Sequence, residues 1–102
     1  MKKNDPRWND TRITQGSDNI FLDLGFEPAE ARILLMRADL MIKIRNYLDA
    51  QGWTQAEAAK RLGITQPRVS KLKKGVAEEF SIDMLLIFAA RLGLEPELRL
   101  AA

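Results

Sequence analysis

Between Thr54 and Gly75 the chain reads TQAEAAKRLGITQPRVSKLKKG, and few folds accommodate what that stretch demands. Thr54 is placed to cap a helix, and Glu57, three positions on, suits the second half of a capping box. The helix then runs through Gln55–Leu62 to Gly63, where a left-handed residue closes it. After Ile64, an apolar residue in the turn, Thr65 caps a second helix. Pro67 falls in the first turn of that helix, where its missing N–H costs nothing. Two helices so close in sequence must cross tightly. Ala59 is small at the expected crossing, and Leu62, Ile64, Val69 and Leu72 are spaced to fill the angle between them.

The flanking sequence supplies the rest of a small core. A long helix is predicted over residues 28–50, opened by Pro28 and stopped before Gly52. Ile33, Leu40, Met41, Ile44, Tyr47 and Leu48 recur at the helical period and are expected to face the two crossing helices. Leu35, Ala38 and Ile42 lie roughly opposite and need a second cover. Trp53 is expected at the edge of the core. After the two helices, residues 76–80 read as a loop with two acidic groups. Ser81 then caps a final helix over 82–92, closed by Gly93. Leu85, Phe88, Ala89 and Leu92 form its core face, but the run MLLIFAA is apolar on nearly every side. A surface helix of a small monomer does not look like that, so a second copy is expected to cover it. The tail LEPELRL alternates weakly enough to allow one short strand, which would need a symmetry mate for its ladder.

Two segments precede the long helix. Residues 1–16 are polar, mixed in charge and without period, and are expected to be loosely ordered; Trp8 within them is given no role. Residues 17–26 read as a turn or two of capped helix ending at Gly25. Ile20, Phe21, Leu24 and Phe26 are too apolar to float free. Two readings stand for them, docking on this chain's own first helix or binding a partner protein.

Composition narrows the function classes. A chain of 102 residues supports one domain, here residues 17–102, with a modest core. It has no cysteine and no histidine, which removes disulfides, thiolates and the commonest general base and metal ligand. No spacing among the remaining carboxylates, lysines and serines suggests catalysis, a metal site or a cofactor site. The chain reads as a non-enzyme. It shows neither a secretory signal nor an apolar run long enough for a bilayer, which suits a cytoplasmic protein. The net charge of +2 is small, but its distribution is not even. Residues 1–53 carry eight basic and eight acidic groups. Residues 54–75 hold six basic groups against Glu57 alone, a balance of +5, and residues 76–102 come to −3. Positive charge concentrated on the paired helices is what a phosphate-binding surface requires.

The same stretch resembles a known family. Counted from Gln55, the positions of Ala59, Gly63, Ile64, Val69 and Leu72 match the Cro/lambda-repressor-like (XRE) helix-turn-helix pattern, and a Gln opens each helix, Gln55 and Gln66. With NIFLDLGF before the long helix and FSIDMLLIFAARLG after the motif, residues 17–100 are similar to XRE-type antitoxins of the HigA kind. The resemblance implies an all-α, lambda-repressor-like bundle of four to five helices. It implies a homodimeric repressor on a palindromic operator, and a toxin partner of the RelE/HigB kind. In such a fold the second helix enters the major groove and the first crosses the backbone. The residues expected at double-stranded DNA are Gln55, Thr65, Gln66, Pro67, Arg68, Ser70, Lys71, Lys73 and Lys74. Gln66 suits adenine N6 and N7, while Arg68 and Lys71 suit guanine O6 and N7 or phosphate. Gln55 suits a phosphate at its helix N-terminus, and Lys73 and Lys74 the backbone at the far end. Ile20, Phe21, Leu24 and Phe26 are the candidates for the toxin. The rivals are a stand-alone phage-type or metabolic regulator and a protein-interaction module without DNA affinity. The basic concentration on the motif argues against the last.

Overall fold

The computed structural model describes residues 19–101. The expectations for residues 1–16, and for the start of the 17–26 segment, lie outside them. Five α-helices appear in order: α1 (Ile20–Asp23), α2 (Pro28–Gln51), α3 (Gln55–Leu62), α4 (Gln66–Lys74) and α5 (Ile82–Arg91). A 3₁₀ turn, Ala77–Glu79, links the last two. The fold is all-α. Residues 94–101 form no strand, so the short strand that the alternating tail allowed does not appear; without a neighbouring strand the segment has no ladder to join.

The chain divides after Met36 into two compact units. In the first, Asn19 does two jobs. Its Oδ1 accepts from the Phe21 amide at 2.9 Å, which caps α1, and its Nδ2 donates to the Ala31 carbonyl of α2 at 2.9 Å. Ala31 is fully buried, and Phe21 meets Phe26 edge-on with centroids 6.0 Å apart. The segment is therefore tied to its own helix through Asn19 and folded on itself through the two phenylalanines. The other apolar residues do not share that burial: Ile20 is 54% and Leu24 67% exposed, and Phe26 is also exposed.

The second unit begins at Arg37 and contains the C-terminal half of α2. Its core is Met41, Ile44 and Leu48 from α2, Ala58, Ala59 and Leu62 from α3, Val69 and Leu72 from α4, Phe80, and Leu85, Phe88 and Ala89 from α5. Each fully buried large side chain among them contributes about 1.5–3 kcal/mol relative to exposure. Leu40, Trp53, Ile64 and Leu92 pack around the margin. Trp53 is sandwiched there, edge-on to Tyr47 at 6.4 Å and under the Arg61 guanidinium at 4.3 Å.

Two expectations are corrected. Ile33, assigned to the core-facing stripe of α2, is 52% exposed. Periodicity says which residues share a side of a helix but not how far along its axis that side is covered. Residues 76–80 are not a plain loop. Phe80 is fully buried, 6.0 Å from the Phe88 ring, and the 3₁₀ turn brings it there. Val76 and Phe80 are separated by Ala77 and two acidic residues, a pattern that carries no helical or strand period to read.

Candidate nucleic-acid interface

The geometry that presents α4 is built from caps. Thr54 Oγ1 accepts from the Glu57 amide at 3.1 Å, and α3 starts there. The reciprocal half of the expected capping box gives way to an i,i+4 pair, with Glu57 Oε2 3.4 Å from Arg61 Nη2. At the other end Gly63 adopts φ 75°, and both its amide and that of Ile64 donate to the Ala59 carbonyl, at 2.8 and 3.0 Å. Arg91, reaching over from α5, donates from Nη1 to the Leu62 carbonyl at 2.7 Å. A cation on the last carbonyls of α3 also complements the negative end of its dipole. Sequence reasoning missed this clasp, because nothing local connects positions 62 and 91. Thr65 Oγ1 then accepts from the Arg68 amide at 3.4 Å, and α4 sets off with Pro67 in its first turn.

Val69 and Leu72 are fully buried, which fixes the rotation of α4. At about 100° per residue, the side opposite them carries Pro67, Ser70, Lys71 and Lys74, with Gln66 toward one edge. Thr65, Gln66, Pro67, Lys71 and Lys74 are exposed and Ser70 is half-buried. Gln55 is exposed at the first position of α3, beside the free amides of that helix's N-terminus. Of the residues picked out in the sequence, Gln55, Thr65, Gln66, Pro67, Lys71 and Lys74 are exposed, while Arg68, Ser70 and Lys73 are half-buried.

The cations are less free than their count suggests. Arg68 is half-buried and turned away from the tip of α4. Its Nη2 donates to the Glu79 carbonyl at 3.1 Å and lies 3.3 Å from the Met84 sulfur, and its guanidinium covers the Phe80 ring at 4.6 Å. Glu79 adds ion pairs to Arg68 at 3.6 Å and to Lys71 at 3.4 Å. Lys73 pairs with Asp49 of α2 at 3.3 Å. Among the described residues, Lys60 and Lys74 are the motif cations with no carboxylate at ion-pair distance. Counting Asp49 and Glu79 with Glu57 against the six cations leaves the neighbourhood at +3. The surface remains positive, but its charge is edged by carboxylates that the linear sequence places elsewhere.

No group of acidic residues among those described is arranged to hold a metal ion, and no described helix is long and apolar enough to cross a membrane. Two capped helices that bury Ala58, Ala59, Leu62, Val69 and Leu72 in one core, with a polar and basic face on the second, define a helix-turn-helix DNA-binding protein. Residues 20–101 match the family model described as a helix-turn-helix domain, and the chain belongs to that family. No curated protein matches the chain.

Proposed function

We propose that this protein is a transcriptional repressor that binds a palindromic operator as a homodimer and acts by occupancy rather than by catalysis. The observation that carries the reading is the outer face of α4, where Gln66 and Ser70 stand at the N-terminal and central turns suited to base edges and Lys71 lies beside them within reach of phosphate. Gln55 and Lys74 then hold phosphates, and Lys73 does so on leaving Asp49. Dimerisation is supported by apolar surface that the single chain leaves open. Met84 and Ile87 on α5 and Leu94, Leu98 and Leu100 on the tail are all exposed. A two-fold axis through that region would set two copies of α4 about 34 Å apart, one turn of DNA. Footprinting on the DNA upstream of the protein's own gene tests this. Two protected half-sites one turn apart, with a dimer in sedimentation, support it; a protein monomeric at high micromolar concentration contradicts it.

The reading extends to an antitoxin of a type II toxin–antitoxin pair, with a small RelE/HigB-like ribonuclease as its partner. Its support is the similarity to XRE-type antitoxins together with the segment 20–26, whose Ile20, Leu24 and Phe26 face solvent although a DNA-binding core has no use for them. Because Asn19 and Phe21 hold the segment together, substitution is a cleaner test than truncation. Ile20→Ser with Leu24→Ser is expected to abolish co-purification with the neighbouring gene product while leaving folding and operator binding intact. Unchanged co-purification would favour the stand-alone regulator.

A further inference from the structure

Glu79 stands between two cations on one flank of α4. Its Oε2 lies 3.4 Å from Lys71 Nζ and its Oε1 3.6 Å from Arg68 Nη1. The two cations are not held alike. Arg68 keeps the Glu79 backbone carbonyl, the Met84 sulfur and the Phe80 ring whatever the carboxylate does. For Lys71 the carboxylate is the one ion-pair partner among the described residues. On another side of the helix, about 140° around the axis from Arg68, Lys73 is paired in the same way with Asp49. The face proposed to meet DNA is thus bordered by two carboxylates, and Lys71, in the middle turn of α4, is already neutralised.

We propose that Glu79 competes with DNA for the α4 face: its carboxylate takes the place of a phosphate beside Lys71 in the free protein, and any duplex that binds there must displace it. The proposal rests on the DNA-binding reading of α4. Non-specific binding is almost entirely a matter of cations on phosphates, so masking one cation and adding one repulsive charge weakens it directly. Operator binding adds base contacts from Gln66 and Ser70, which Glu79 does not touch, so it loses the same amount and keeps its margin over random DNA. Arg68 is retained in both states by its uncharged anchors. Lys71 is the group that exchanges.

The test is Glu79→Gln, which keeps the side chain's size and the backbone carbonyl that holds Arg68. Wild type and variant are titrated with a short random-sequence duplex and with the duplex upstream of the gene, at several salt concentrations. The expected result is several-fold tighter binding to both duplexes, by a similar factor, and a salt slope steeper by about one unit. Adding Lys71→Ala is expected to remove that gain. An unchanged affinity and slope, a gain confined to one duplex, or a gain that survives Lys71→Ala would each overturn the assignment. A wild type that binds neither duplex would retire the DNA-binding reading itself. A wild type that discriminates, beside a variant that matches it, would retire only the role of Glu79.

Discussion

Replacing Gly63 with alanine probes the joint that aims α4. At φ 75° a side chain meets the left-handed penalty of about 1–2 kcal/mol. A Cβ there would also lie 2.8 Å from Arg91 Nη1, closer than such contacts are found, so the guanidinium must withdraw from the Leu62 carbonyl. Hydrogen bonds from charged donors contribute about 1.5–3 kcal/mol, and since Arg91 is largely exposed a value near 1 kcal/mol is appropriate. The sum is about 2–3 kcal/mol. Gly93 provides the reference, because it has φ 89° and nothing within 4 Å of its added Cβ. Gly93→Ala pays the backbone penalty alone, and the gain from restricting the unfolded chain is common to both sites. Urea unfolding of the two variants, alone and with Arg91→Met, isolates the Arg91 share as a coupling energy of about 1 kcal/mol. If Gly63→Ala costs no more than Gly93→Ala, or the excess persists with Arg91→Met, the clasp contributes nothing and the reasoning fails.

Three further outcomes are expected. Ala59→Leu overpacks the α3–α4 crossing, lowers stability by about 1–3 kcal/mol and reduces the thermal midpoint; an unchanged midpoint would mean the helices do not close there. Phe80→Ala empties the centre of the core and removes the platform under Arg68, for a loss of about 3–5 kcal/mol in denaturant titrations. Gln66→Ala is expected to cost about 1–3 kcal/mol of discrimination at one base pair per half-site with little change in salt slope. Lys74→Ala, chosen over Lys73 because Asp49 does not mask it, instead weakens binding to all sequences and lowers the slope by about one unit.

The paired helices were legible because their signals are local. Thr54, Gly63, Thr65 and Pro67 act within one turn of themselves, and Val69 and Leu72 declare the buried side by spacing alone. The caps of α5 and the break at Gly93 were readable for the same reason. What stayed hidden depends on residues distant in sequence. Arg91 closes α3 from 29 positions away, and Glu79 reaches back 11 positions to Arg68. Phe80, at the very centre of the core, sits in a segment with no periodicity to betray it. The charge count over residues 54–75 overstated the free charge of that stretch, since Asp49 and Glu79, which pair with its lysines, belong to other elements. Ile33 shows the opposite error, a residue with the right phase on a side that is not covered there.

The central claim is that the outer face of α4, with the start of α3, is the surface that meets DNA. Backbone amide shifts of the isotope-labelled protein, followed while a short duplex from upstream of its gene is added, test this most directly. The account predicts saturable changes concentrated at Gln55 and from Thr65 to Lys74, with a signature at Glu79 as Lys71 leaves it, while α1 stays unperturbed. Changes centred on α1, or a duplex that perturbs no residue of α4, would contradict it.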